Sequence, residues 1–230
     1  MRCRRESTSL RPQAGAALVL VIVLLLISGL SVLGAVRSTL LNEALVGSAA
    51  DYNRAFAAAE AMVQDAETDI RGLRASGGAT RIAASGIFYP EQPADMLALA
   101  DGLAMRSGVP CQDGICLPAD IDQLAAIEKQ ADLFSRAAHP VAIHATYGQF
   151  TGATASAAMR SYLGRETAGY WVEVFEHPPG ARVGAGDFRY APDAARPFVF
   201  RITAVVAGRR PGIRAVLREV FIPSPLIDNP

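Results

Sequence analysis

The hydrophobic pattern divides the chain into three regimes. From Ala16 to Val36 the run AALVLVIVLLLISGLSVLGAV holds 21 residues without a charge. As a helix rising 1.5 Å per residue it would be ~31 Å long, close to the hydrocarbon thickness of a bilayer. Beyond Val36 the apolar residues thin to helical spacing. Leu40, Leu41, Ala44, Leu45, Tyr52, Ala55, Phe56, Ala59, Met62, Val63, Ala66, Ile70 and Leu73 recur mostly three or four apart. Arg37, Asn42, Glu43, Asp51, Asn53, Arg54, Gln64, Asp65, Glu67 and Asp69 fall between them and read as the polar face. No proline lies between Pro12 and Pro90, and Ala55 to Ala61 is rich in the best helix former. The pattern predicts one helix from about Ala16 to about Arg74, a transmembrane half over 16–36 and an amphipathic half over 37–74. Arg71 and Arg74 suit its C-terminus, Gly77-Gly78 supplies a terminator, and Gly47 marks where a bend or break would fall.

The third regime, 75–230, reads as a globular head. Ile87 to Pro90 is a short strand or connector, and Asp95 to Met105 is apolar and helical in pattern. Asp120 opens a helical pattern that keeps its spacing to about Ala138, with Gln123 three positions on as a capping arrangement. Val141 to Tyr147 has strand composition, and Thr151 to Arg165, rich in glycine and alanine, reads as a loop with a weak helix. Tyr170 to Glu176, Phe198 to Ala207 and Ile213 to Ile222 read as strands, with a long connection over 178–196 and a turn at Gly208 to Gly212. They predict an antiparallel sheet over about 170–223, with Tyr170, Trp171 and Phe175 in its core. A helix against such a sheet is an α+β fold.

Charge adds an orientation. The chain is neutral overall, which offers no electrostatic argument for nucleic acid. Residues 1–15, however, carry Arg2, Arg4, Arg5 and Arg11 against Glu6. A basic start followed by an apolar run places the N-terminus in the cytoplasm and the body across the membrane. Three readings of this start are open. A secretory signal peptide would have a shorter apolar region and a small-residue cleavage site after it, which Leu33-Gly34-Ala35 matches poorly. An uncleaved anchor carrying a periplasmic domain is the second. The third is a leader over 1–15 that is cut on the cytoplasmic side, before the apolar run.

Cysteine usage fits export. Cys3 lies in the leader, and Cys111 and Cys116 flank Gln-Asp-Gly-Ile in a loop over 110–118. Two cysteines so placed in an exported protein read as a local disulfide, worth about 2–3 kcal/mol by loop closure. Reduced thiols in a cytosolic protein are the alternative. A zinc site would need about four ligands, and His139, His144 and His177 supply no second pair.

Taken together, Gly15-Ala16-Ala17-Leu18-Val19, Arg37-Ser38-Thr39, Glu43, Gly47, Asp51, Arg54-Ala55-Phe56-Ala57-Ala58-Ala59-Glu60-Ala61 and Asp65-Ala66-Glu67 resemble the N-terminal region of PilX-type pilus assembly proteins, minor pilins of type IV pili. The resemblance covers about residues 11 to 70 and, beyond them, extends to layout only. It implies cleavage by prepilin peptidase between Gly15 and Ala16, N-methylation of Ala16, and a type IV pilin-like fold. It implies an inner-membrane protein with a periplasmic head that later joins a filament. Partners would be other minor pilins, the major pilin and a tip adhesin, with roles in pilus priming, motility and adhesion. One position departs from the pattern. Most pilins carry glutamate as the fifth mature residue, to neutralise a neighbouring subunit's N-terminal amine. Here that residue is Leu20. A buried amine without its partner is costly, so Leu20 suits a minor subunit at the tip. The K-type minor pseudopilin of type II secretion is similar in this respect, and a pseudopilin is the alternative within the class.

No chemistry-bearing motif competes. The chain has no Gly-rich phosphate loop after a strand, no GxSxG elbow and no HExxH. Asp113, Asp120 and Asp122 are oxygen ligands of the kind calcium takes, but they follow no calcium-loop spacing. The expectation is a structural protein with no catalytic residue, metal or cofactor.

Overall fold

A computed structural model describes residues 14–74, 76, 81, 87–104, 111–118, 143–177 and 192–223. The helical pattern at 120–138, the Gly77-Gly78 terminator, the leader up to residue 13 and most of the 178–196 connection lie outside the described residues. The chain forms two compact units, Met1–Ser48 and Ala49–Pro230.

Helix α1 runs from Ala14 to Ile70 and is helical at every residue, Gly47 included. It stops four residues before the expected end. Gly72 takes a left-handed φ of 71°, donates its N–H to the Asp69 carbonyl at 2.9 Å, and lets Leu73 N–H reach the Thr68 carbonyl at 3.0 Å. That pairing is a Schellman motif, which satisfies carbonyls the helix end would otherwise orphan. The guanidinium of Arg196 adds a bond to the Ile70 carbonyl at 3.0 Å. Helix α2 spans Pro93–Ala104. Proline occupies its first position, where no N–H is needed. The Asp95 carboxylate accepts the N–H groups of Glu91 and Gln92 at 3.0 and 2.9 Å, and Leu99 and Leu103 are buried. Residues 87–90 are a connector without strand structure.

Five strands make one sheet in chain order: β1 (Cys111–Gln112), β2 (Ile115–Cys116), β3 (Ala168–Glu176), β4 (Phe198–Ala207) and β5 (Arg214–Phe221). The three long strands form the expected antiparallel meander, with Trp171 opposite Thr203 and Val205 opposite Val216. The sheet as a whole is mixed, which corrects the antiparallel expectation. The cysteine loop is a hairpin, Cys111 opposite Cys116, and its second strand runs parallel to β3. The Val172 N–H donates to the Gly114 carbonyl at 2.7 Å. The strand expected over 141–147 contracts, among its described residues, to a bridge between Ala145 and Tyr170. This edge of β3 is already taken by β2 at Val172 and Glu173, so only the stretch beside Tyr170 is open to Ala145. Residues 152–167 are loop and turns, without the weak helix expected within 151–165.

The core lies between α1 and one face of the sheet. Ala55, Ala58, Ala59, Met62, Val63, Ala66 and Ile70 join Tyr170, Val172, Val174, Phe198, Phe200, Ile202, Ala204, Val206, Ala215 and Phe221 in a single cluster with α2. Alanines dominate the helix side because a small side chain lets a helix backbone approach a sheet closely. The opposite sheet face is also buried along β3 and β4, at Trp171, Glu173, Thr203 and Val205. There Arg201 grips Glu173 with two bonds of 2.6 Å and lies over the half-buried Phe175 ring. Trp171 and Tyr170 are core residues, as the sequence implies.

Candidate functional site

The first unit presents an apolar helix surface. Every Leu, Ile and Val from Leu18 to Val46 is between 44% and 69% exposed. Burying each such side chain contributes about 1.5–3 kcal/mol, so the segment demands a lipid or protein environment. The helix is long and apolar enough to cross a membrane, with a mean hydropathy of 2.9 in its most apolar stretch. Three of its hydroxyls are satisfied internally. Ser28 donates to the Leu25 carbonyl, Ser31 to Ile27 and Thr39 to Ala35, all within 3.0 Å. In hydrocarbon such back-bonding removes the cost of an unpaired polar group. Gly15 and Ala16 lie in the first turn of α1. Leu20 is 62% exposed on the helix surface.

The second unit is organised by three aspartates of α1. Asp51, Asp65 and Asp69, read from the sequence as polar-face residues, are buried. They share one stripe with Ala55, Ala58 and Met62, at alternating steps of four and three. Asp51 accepts the N–H groups of Arg209 and Arg210 at 3.1 and 2.8 Å and the Tyr162 hydroxyl at 2.7 Å. Those bonds, the Arg210 N–H foremost, hold its carboxyl below the usual carboxylate range against the opposing effect of burial. Asp65 accepts the Gly148 N–H at 2.8 Å and the Thr151 hydroxyl. Burial pushes Asp65 up, with its two hydrogen bonds pulling the other way.

Asp69 is the most enclosed, its side chain fully buried. Arg81 binds it in a fork, with Nε 3.2 and 3.1 Å from the two carboxylate oxygens and a terminal nitrogen at 2.7 Å. The Tyr89 and Tyr170 hydroxyls donate to the same carboxylate at 3.2 and 3.1 Å. Burial drives both phenols well above the ordinary tyrosine value, so they remain donors. Arg81 also donates to the Asp113 carbonyl at 3.0 Å. This ties the cysteine hairpin to α1.

The expected disulfide is present between Cys111 and Cys116, and both residues are fully buried. The hairpin is therefore a wedge in the core, not a solvated loop. Asp113 and Gly114 turn it at φ 50° and 78°. A Cβ on Gly114 would lie 2.7 Å from that of Ala145, so only glycine fits. Among the described residues no group of three His, Cys, Asp or Glu could hold a metal. His139, Asp120 and Asp122 lie outside them. A cleft of about 400 Å³ opens beside the end of α1, lined by Asp69, Arg71, Arg81, Tyr89, Glu91 and Arg196. Its innermost charges, Asp69 and Arg81, are already engaged with each other.

No protein-family model, curated protein or solved structure matches this chain. Its class is given by its own architecture, a long apolar N-terminal helix with an α+β head on a five-stranded mixed sheet.

Removing one partner of a buried ion pair typically costs about 3–5 kcal/mol. Asp69→Ala is therefore expected to lower the head's stability by that order, measured by urea denaturation of the full chain in detergent. Arg81→Met with Asp69→Leu should recover part of the loss. A second effect is pH-dependent. Burial, then the hydrogen bond and charge of Glu219 on β5, push Glu67 above its usual value, with Arg71 opposing. The folded state thus binds this proton more tightly than the unfolded chain. The associated stability is fully present below the unfolded pKa and is lost as pH rises through the raised folded value. Glu219→Gln should stabilise the protein more at pH 7 than at pH 4. Parallel pH profiles for the two proteins would contradict this.

Proposed function

We propose that this chain is a minor pilin of the PilX type. In this reading it is made as a precursor, cut by prepilin peptidase between Gly15 and Ala16, methylated at Ala16 and used to prime type IV pilus assembly from the inner membrane. The observation that carries the reading is the junction itself. A basic leader ends on Gly15, and the residues after it open a charge-free stretch, 16–36, of a helix that runs, as α1, from Ala14 to Ile70. A signal peptide has no use for a helix that goes on to pack into the core of the head. The type IV pilin-like layout of helix and sheet is part of the same proposal.

The N-terminus is cytoplasmic and the head periplasmic, in keeping with the leader arginines and with a disulfide that an oxidising compartment would sustain. The exposed apolar surface from Leu18 to Val46 packs first in lipid and then against the helices of other minor pilins and the major pilin. Leu20, which cannot neutralise a neighbour's amine, supports a position at the tip, beside an adhesin. The chain works by packing, catalyses no reaction and holds no cofactor or metal.

The mature N-terminus tests this directly. Mass spectrometry of the protein from membranes of a peptidase-bearing host should find N-methylated Ala16, and Gly15→Val should leave the precursor uncut. Retained Met1 would remove the pilin reading in favour of an uncleaved periplasmic anchor. Location is tested separately by Leu20→Glu. Immunogold labelling should find this variant spread along the filament, whereas unchanged tip labelling would defeat the argument from Leu20. Incorporation into a secretion pseudopilus instead of a pilus would select the type II secretion alternative.

A further inference from the structure

We propose that the Cys111–Cys116 pair is a redox latch on the head. Its oxidation lets the head close around Asp69, and the closed head then shields it from reduction. The inference uses the head alone and does not rest on how the N-terminus is processed.

The hairpin cannot stand by itself. Strands β1 and β2 face each other at two residue pairs, and isolated two-stranded hairpins are marginal in water at best. What orders this one lies outside it. Ile115 and Cys116 pair with Val172 and Glu173 of β3. The Gly114 carbonyl accepts the Val172 N–H at 2.7 Å, and the Gly114 N–H donates to the Ile143 carbonyl at 3.1 Å. Arg81 donates to the Asp113 carbonyl at 3.0 Å. The hairpin therefore has no opening motion that leaves the rest of the head in place.

The disulfide supplies what the hairpin lacks. It holds Cys111 opposite Cys116 before the outside contacts form, which removes loop entropy from the open chain. Two thiols leave those contacts to order the loop unaided. The loss is passed to α1 by Arg81. One terminal nitrogen of that side chain reaches both the Asp69 carboxylate, at 2.7 Å, and the Asp113 carbonyl. The Arg81 side chain is 5% exposed. A displaced carbonyl would leave a buried donor short of a partner beside a buried charge.

The same burial makes the latch act in one direction. Both cysteines are fully buried, and exchange needs a thiolate to reach a disulfide sulfur. Reduction must wait until the head opens as a whole. Closure itself is ordinary exchange. The two cysteines give up two protons and two electrons as one S–S bond forms. The disulfide of the oxidant, a thiol–disulfide oxidoreductase or oxidised glutathione, is cleaved to two thiols that take them up.

The test uses the full chain in detergent with Cys3→Ser, which removes the third thiol. Reduction by dithiothreitol is followed over a urea series by maleimide–polyethylene glycol alkylation. Global unfolding is followed by fluorescence of Trp171, the chain's one tryptophan. Without urea, reduction should run about a thousandfold or more slower than in the unfolded chain. Its rate should rise with urea in parallel with global unfolding. Cys111→Ala with Cys116→Ala should lower the urea midpoint. In the Asp69→Leu, Arg81→Met background the same pair of substitutions should lower it by about half as much or less, because coupled sites are not additive. Reduction of the native protein at a rate independent of urea would overturn the latch. Equal midpoint shifts in the two backgrounds would overturn its link to Asp69. The rate measurement uses the native pair, so it decides the first point even where the alanine variant does not fold.

Discussion

The carboxylate of Asp69 sits where water does not reach, and the head is built so that it need not. An isolated carboxylate in such a place costs far more than its neighbours' packing could return. Here it is matched by the fork of Arg81 and by two tyrosine hydroxyls, one from the segment before α2 and one from β3. Arg81 passes the constraint on to the cysteine hairpin through the Asp113 carbonyl. Helix, connector, central strand and hairpin must all be in position before this one charge is satisfied. The disulfide closes the hairpin that the arginine then holds. Asp65 and Asp51 repeat the device further along α1, fixing the loop at Gly148 to Thr151 and the turn before β5.

These carboxylates do what the alanines around them cannot. A helix face of alanines packs closely on a sheet but slides and rotates at little cost, because its surface is smooth. Three carboxylates on the same stripe, each matched to a different loop, give the helix one register. The specificity comes from the large penalty for leaving any of them unpaired. Within a single helix, α1 therefore answers to two environments. Its first part is apolar on all sides and its last part carries a narrow core stripe with buried charge.

Much of this was legible in the sequence. The span of β4, most of α2, the meander of β3, β4 and β5, and the disulfide partners follow from patterns that are local: strand alternation, turn residues, an apolar helical stretch, an even pair of cysteines. Three features were read differently. Gly72, not Gly77-Gly78, ends α1, because a single glycine at positive φ suffices for the cap. The sheet is mixed, because two-residue strands are too short to leave an alternation and the parallel pairing of Ile115 with Val172 joins distant segments. The aspartates point inward. Their four-and-three spacing with Ala55, Ala58 and Met62 was present in the sequence, but charge is ordinarily a sign of the solvated face.

What the sequence determined by itself is a helix long and apolar enough to cross a membrane: an uncharged run of bilayer length behind a basic N-terminal stretch, where composition alone disfavours water. It also determined the helix and the three long strands, whose periods are properties of short stretches. Only the tertiary structure decided which way the three aspartates face, where the cysteine hairpin inserts and which strand edge it pairs with. Each of these depends on partners tens of residues away. The energy that fixes them, the satisfaction of a buried charge or of an open strand edge, exists only once those partners have met.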